Sequence, residues 1–545
     1  MTPSGAADTT VGALDHPAVI RAHPAALAGR DLDALGELLQ VVLGALAVGA
    51  ADRGGPAPAG APVALDAAWR HALFDGDTSP SAAAGPATSR RSARGDAADA
   101  LSELVRLFAA GSVDPADPRC AAHLHTPPLA VAVAADVAAS ALNPSLDSWD
   151  QAPIGTTLEP AVIAELADLA GYDPATASGV VTTGGSESNL LGLLLARETA
   201  IPGVVRTGLP AGTYRIFGSA VTHFSVHRAA GLLGFGEDAV VPVRTGRDHR
   251  LDPAALDEAL ETAKANGETP IAIVATAGTT DLGAIDPLPA IAEVARRHRT
   301  WLHVDAAYGG GALFSQRLAP LLDGLHRADS IGLDLHKLGW QPVAAGIFLT
   351  RAATNLAALA RRAEYLNPAD DEEAGYTSLL GRSLRTTRRP DALKIAVTLR
   401  ALGRTGLGAL VDRCADLARH AATSVEARPE LELYQPPTLT TVVFRYRDPA
   451  ALRGASNGRP AGRTDAAHRE VGTPEAGTGR DPGDVNARLR RALLTSGRAV
   501  IGRTEIDGQV WLKLTLLNPD ATAADVDGLL EAVVAAGAAE LKAVR

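Results

Sequence analysis

Between residues 171 and 350, short apolar runs alternate with amphipathic stretches in a regular rhythm. The runs at 179–182, 214–219, 239–243, 271–276, 301–304 and 330–335 are too short for helices, and most are rich in Val, Ile or Leu. Continuous short runs of this kind predict strands covered on both faces. The stretches at 187–200, 223–233, 253–266 and 287–298 carry helical pattern. The alternation predicts βαβ units and an α/β fold with a mostly parallel, doubly wound sheet. Further on, a long helix is expected over 391–402, then strands at 440–446 and 510–516 with helices near 485–496 and 523–535, a smaller α+β unit.

Upstream, helical pattern occupies 31–46, 97–110 and 129–142, with a Pro/Gly break at 54–62. Segments 121–128 and 143–159 read as polar, proline-bearing loops of the sort that carry sites. Residues 77–96 and 450–483 are rich in small and polar residues without period and read as a disordered linker and a disordered insertion. The expected division is an N-terminal helical segment over 1–127, a large domain over 128–395 and a small C-terminal domain over 396–545.

Two of the buried-type strands end in charge. The run at 301–304 leads into Asp305, and the run at 330–335 ends at His336 and Lys337. In an open α/β sheet these ends meet at the carboxyl edge, where ligands bind. A lysine held in such a crevice can act as an amine nucleophile toward a carbonyl or toward pyridoxal phosphate. A carboxylate aimed at a pyridine nitrogen meets that cofactor's other requirement. Taken alone, the pair also fits a metal cluster of His303, Asp305 and His336, or merely a satisfied polar strand end. Other segments add weight. TTGGSESN at 182–189 places Gly185 and Ser186 in a glycine-rich turn opening a helix, an anion cradle. His223 follows a strand and offers a flat ring, and Thr279 offers a hydroxyl at the same edge.

Composition narrows the partners. At 545 residues with 46% apolar and 21% charged positions, the chain is expected to be a soluble globular protein of two or three domains. A net charge of −11 argues against nucleic acid or an anionic membrane as the main partner. No run reaches the ~18 uninterrupted apolar residues of a membrane helix. Two cysteines, Cys120 and Cys414, without metal-type spacing fit a reducing cytoplasm, and no secretory signal is visible.

In this order, TTGGSESN, HFSVHRAAGLLG, ATAGTT, WLHVDAAYGGG and ADSIGLDLHK resemble the pyridoxal-dependent group II amino acid decarboxylases. HLHTPP and LNPSLDSWDQAP upstream, with EYLN, SLRTTRRPDALK and LLNP downstream, extend the resemblance from about residue 100 to the C-terminus, the insertion excepted. The resemblance implies the aspartate aminotransferase fold (fold type I), pyridoxal 5'-phosphate and a cytoplasmic homodimer with active sites shared between subunits. It implies that Lys337 bonds the cofactor, Asp305 pairs with its ring nitrogen and His223 stacks on the ring. Gly185, Ser186, Asp334 and His336 match positions near the phosphate or the lysine, and Thr279 a position beside the ring. Tyr365 matches a tyrosine implicated in returning a proton to Cα, and its presence favours simple decarboxylation. Thr126 and Asp147 match substrate-pocket positions. An aspartate at 147 would pair with a cationic side chain, and with YLNPADDEEAG it brings the chain nearest in look to the L-2,4-diaminobutyrate branch. The expected reaction is decarboxylation of a diamino acid, with an aromatic L-amino acid as the alternative substrate and an aminotransferase or lyase on the same fold as a more distant one.

Overall fold

The computed structural model describes residues 27–74, 97–448 and 485–544. The expected linker at 77–96 and insertion at 450–483 lie outside these residues. The described residues divide into two compact units, one within 27–54 and 61–112 and the other within 55–60 and 113–544.

The first unit contains helices α1 (Leu32–Arg53), α2 (Pro62–Phe74) and α3 (Ala97–Gly111). Asp31 caps α1 by accepting from the Ala34 amide at 2.9 Å, and left-handed Gly54 ends it. α1 lies against α3 so closely that a Cβ on Gly49 would sit 2.4 Å from the Arg106 carbonyl. By length and composition alone α1 could cross a membrane, with an 18-residue window of mean hydropathy 1.8. Searching only for uninterrupted apolar runs passes over it, because Asp33 and Glu37 interrupt its sequence.

In the second unit, seven strands form the large sheet: β2 (Ser178–Thr182), β3 (Tyr214–Ser219), β4 (Val240–Val243), β5 (Thr269–Thr276), β6 (Trp301–Ala306), β7 (Ser330–Asp334) and β8 (Gly346–Thr350). Their order is β2-β8-β7-β6-β5-β3-β4, parallel except for β8, which runs against both neighbours. Residues 335–345 explain this reversal, since a connection so short cannot cross over to make a parallel pair. Helix α4 (Ala130–Leu142) precedes α5 (Pro153–Leu169), and α6 (Gly185–Ala200), α7 (Val204–Thr207), α8 (Ser225–Leu232), α9 (Pro253–Ala265) and α10 (Leu288–His298) follow within the sheet region. One core cluster joins residues of α6 and α8 to the sheet, and another joins residues of α5, α9 and α10 to it, so both faces are covered. β2, β6, β7 and β8 are buried along their whole lengths, which accounts for their continuous apolar runs.

A short helix, α11 (Ala369–Glu373), precedes α12 (Ala392–Glu426), which breaks at Gly403, where φ is 65°. The expected domain boundary at 395/396 falls inside α12. Beyond it, β1 (Cys120–Ala121) joins β9 (Leu431–Leu433), β10 (Thr441–Tyr446), β11 (Val500–Ile506) and β12 (Gln509–Thr515) in a second sheet, ordered β1-β11-β12-β10-β9. Parts of α12, α13 (Val485–Thr495) and α14 (Ala523–Val544) form a separate apolar core with it. One correction to the expected elements concerns 143–159. The loop ends at Ala152, and Pro153 opens α5, where its missing N–H costs nothing.

Candidate active site

Parallel pairing brings the carboxyl ends of β5, β6 and β7 together. Thr276 is in register with Asp305, and Asp305 with Gly332, two residues before Asp334. There a cavity of about 300 Å³ opens, lined by Gly185, Ser186, His223, Thr279, Asp305, Asp334, His336 and Lys337 among others. The structure therefore gathers eight of the sequence-predicted residues, drawn from five separate stretches of chain, around one space.

Each is held by local structure. β2 ends at Thr182, and Gly184, at φ 150°, turns the chain into α6. No side chain caps this end, and the amides of Glu187 and Ser188 bond the Gly184 carbonyl, so Gly185 and Ser186 bring the positive end of the helix to the cavity. Side chains are excluded from the turn, since a Cβ on Gly185 would lie 2.9 Å from the Ala307 Cβ. Asp305 is 6% exposed. Its Oδ2 accepts from Asn189 Nδ2 at 2.8 Å and its Oδ1 from the Ala307 amide at 3.1 Å, so both oxygens are served as a carboxylate requires. Lys337 stands on the return loop after β7, and its Nζ pairs with Asp334 Oδ2 at 3.0 Å. That loop is pinned, because Trp340 is buried and donates from Nε1 to the Leu517 carbonyl at 2.9 Å. Thr126, buried, donates to the His336 carbonyl at 3.3 Å. Thr279 accepts from the Ala284 amide at 3.0 Å, which fixes its hydroxyl.

Burial favours the neutral form of the imidazoles. Burial lowers the pKa of His223, opposed by Asp305 and Asp334 and assisted by Lys337 and Arg228. Burial likewise lowers that of His336, against the pull of Asp334. His303, fully buried, is pushed down to about 4 by burial. The metal reading of His303, Asp305 and His336 does not survive this geometry. Both ring nitrogens of His303 are engaged within the protein, Nδ1 with Ser330 Oγ at 2.8 Å and Nε2 with Asn189 Oδ1 at 2.9 Å, leaving no lone pair for an ion.

Three predicted residues are absent from the lining: Thr126, which reaches the site only through the His336 carbonyl, and Tyr365 and Asp147, which stand elsewhere. Tyr365 is 83% exposed and does not line the cavity. Asp147 is buried but also absent from the lining, and its Oδ1 has no hydrogen-bond partner. Its loop is tied to the 376–388 region, where the Leu146 amide donates to the Arg388 carbonyl at 3.0 Å and Trp149 meets Tyr376 edge-on. Sequence reasoning missed Asn189. It was the last letter of the TTGGSESN stretch, but a polar residue one turn into a helix gives no sign that it will be buried against Asp305.

The donor set fits pyridoxal phosphate. An uncapped helix end and glycine turn suit a phosphate, a buried carboxylate accepting two N–H bonds suits a pyridinium, and the Lys337 amine lines the same cavity. Fold and site together define a pyridoxal-phosphate enzyme of the aspartate aminotransferase fold type. The model of the pyridoxal-dependent decarboxylase conserved domain matches residues 89–447. An L-2,4-diaminobutyrate decarboxylase of Rhizobium meliloti (strain 1021) is 42% identical over 436 residues, covering 80% of this chain and 81% of that protein. One of Acinetobacter baumannii is 35% identical over 449 residues, covering 80% and 83%. Among solved structures, the glutamate decarboxylase domain of diaminobutyrate-pyruvate transaminase and L-2,4-diaminobutyrate decarboxylase from Vibrio parahaemolyticus superposes with a TM-score of 0.74 at 32% identity, covering 93% and 96%. The chain belongs to the pyridoxal-dependent decarboxylases, enzymes that remove carbon dioxide from an amino acid.

Proposed function

We propose that the enzyme converts a diamino acid, L-2,4-diaminobutyrate in the first instance, to the corresponding diamine and carbon dioxide. The observation that carries the substrate class is Asp147, a carboxylate 6% exposed with one oxygen unpartnered. A buried carboxylate oxygen without a partner is costly unless a donor completes it, and a side-chain ammonium does so. The same group repels an acidic side chain and leaves an aromatic one without a polar partner. Because Asp147 is not in the lining of this chain's own cavity, the reading includes a homodimer whose loops complete each other's sites. Exposed Leu43, Leu46 and Val48 on α1 supply apolar surface for such association. A chain with two cysteines, Cys120 and Cys414, and no metal-type spacing agrees with work in a reducing cytoplasm.

When bound, pyridoxal phosphate supplies the electron sink for the pair left behind by the departing carboxylate. The α6 amides and Ser186 hold its phosphate. Asp305 keeps a proton on its ring nitrogen, which a doubly hydrogen-bonded carboxylate favours electrostatically. Lys337, whose Nζ pairs with Asp334 Oδ2, is the amine that would hold the cofactor at its carbonyl end. His223 presents a neutral imidazole to the ring, and Thr279 a fixed hydroxyl beside it. Tyr365 returns the proton to Cα after the segment carrying it moves in from solvent. Carbon dioxide release from a panel of amino acids tests the substrate. The proposal expects Asp147→Asn to lower kcat/KM for L-2,4-diaminobutyrate by about 100-fold, the scale of losing one charge-assisted contact. Undiminished activity in that variant, or wild-type preference for an aromatic amino acid, overturns it.

A further inference from the structure

A continuous chain of buried hydrogen bonds runs behind the cavity. Trp301 Nε1 reaches Ser330 Oγ at 3.0 Å, and the same oxygen meets His303 Nδ1 at 2.8 Å. His303 Nε2 meets Asn189 Oδ1 at 2.9 Å. Asn189 Nδ2 then forks to Asp305 Oδ2 at 2.8 Å and Ser225 Oγ at 2.9 Å. Ser225 Oγ ends the chain on His223 Nδ1 at 2.7 Å. Asn189, Ser225, His303 and Ser330 are each no more than 2% exposed, so the protein, not solvent, sets the proton positions.

Donor and acceptor chemistry gives the chain one direction. Trp301 can only donate, so Ser330 accepts there, and its own proton goes to His303 Nδ1 because the Asn189 carbonyl oxygen at the far side of the ring takes the imidazole hydrogen. The neutral His303 ring then carries its hydrogen on Nε2 and donates to Asn189 Oδ1. The other end agrees, because the Asn189 amide must turn its NH₂ to the Asp305 carboxylate, which can only accept. Its second hydrogen occupies Ser225 Oγ, whose proton is left for His223 Nδ1. The Ser225 backbone N–H, 3.4 Å from the same Nδ1, points in the same sense. His223 must carry its hydrogen on Nε2.

We infer that Asn189, His303 and Ser330 are positioning residues that act through Ser225 to hold His223 as the Nε2–H tautomer. The backbone makes room for this arrangement. A Cβ on Gly192 of α6 would lie 2.5 Å from His303 Nδ1, so glycine is required where the imidazole lies against the helix. Phe348 stacks on the ring's flank, with centroids 6.4 Å apart and planes 28° from parallel. The charged groups facing His223 are Asp305 and Asp334, which favour its protonation, and Lys337 and Arg228, which oppose it.

The inference rests on His223 and Asp305 facing the cofactor, but its test is read on the cofactor-free protein and stands apart from substrate or turnover. Full-length protein labelled with ¹⁵N-histidine is examined at neutral pH by ring ¹H–¹⁵N correlation, with His223→Gln and His303→Gln identifying the signals. The expected result is that both rings are neutral with hydrogen on Nε2 only. In His303→Leu the His223 signals shift to a mixture of tautomers. In His303→Gln, whose amide can donate to Asn189 and accept from Ser330, the single-tautomer pattern returns, which a merely structural role for His303 would not produce. Nδ1–H on His223 in the wild type overturns the inference. An unchanged His223 pattern in folded His303→Leu also overturns it. Should that variant not fold, Asn189→Ala is read the same way, and the wild-type tautomer needs no variant.

Discussion

Acidification should weaken this protein through His303, and the amount can be worked out. Its imidazole is fully buried and held down to about 4 from an ordinary 6.5. A histidine whose folded pKa is depressed binds fewer protons folded than unfolded between these values. The stability tied to its neutral form is therefore complete above about pH 6.5 and lost as pH falls toward 4. The whole gap corresponds to about 3 kcal/mol, of which about 2 kcal/mol falls between pH 7 and pH 5. Asp286 works in the opposite direction. Burial raises its carboxyl to about 6, so its contribution favours the folded state as pH falls. A difference measurement removes Asp286 and the other histidines. Wild type and His303→Gln, both cofactor-free, are unfolded in urea at pH 7 and pH 5, with tryptophan fluorescence as the signal. The wild type should lose about 2 kcal/mol more than the variant over that interval. Equal losses within about 0.5 kcal/mol would refute the claim that a neutral His303 is built into the fold.

Other consequences follow from the same contacts. Arg388 and Glu159 form a buried pair, with Arg388 Nη1 at 2.8 and 2.9 Å from the two carboxylate oxygens. Arg388→Leu should cost about 3–5 kcal/mol by stranding Glu159, and adding Glu159→Leu should recover most of it in urea unfolding. Gly185→Val fills the turn that faces the phosphate, so titration with pyridoxal phosphate should show at least about a 10-fold weaker Kd in a folded protein. Lys337→Ala should remove the visible absorption that forms with pyridoxal phosphate, together with turnover, as read by spectrum and carbon dioxide release.

Much of this was legible in the sequence for one physical reason. Strands covered on both faces write themselves as unbroken apolar runs, and in a parallel sheet the residues just after such runs meet at one edge. Asp305 lies at the end of a strand, and Lys337, His223, Thr279 and the Gly185–Ser186 turn follow strands, so the topology brings them to one edge. β8 escaped notice because GIFLT follows a loop too short to announce a new βα unit, and α5 because Pro153, Gly155 and paired threonines hide its apolar face. Asn189 was invisible as a functional residue, since its burial depends on where His303 and Asp305 lie, more than a hundred positions away. Tyr365 and Asp147 show the opposite case, in which resemblance points to a pocket that the single chain does not form around them.

The most direct test is carbon dioxide release by the purified enzyme with pyridoxal phosphate, across L-2,4-diaminobutyrate, an acidic and an aromatic L-amino acid. The account predicts a visible absorption band and a kcat/KM for the diamino acid that exceeds the others by at least about 100-fold. A protein that releases carbon dioxide from none of them, or prefers the acidic or aromatic substrate, would contradict it.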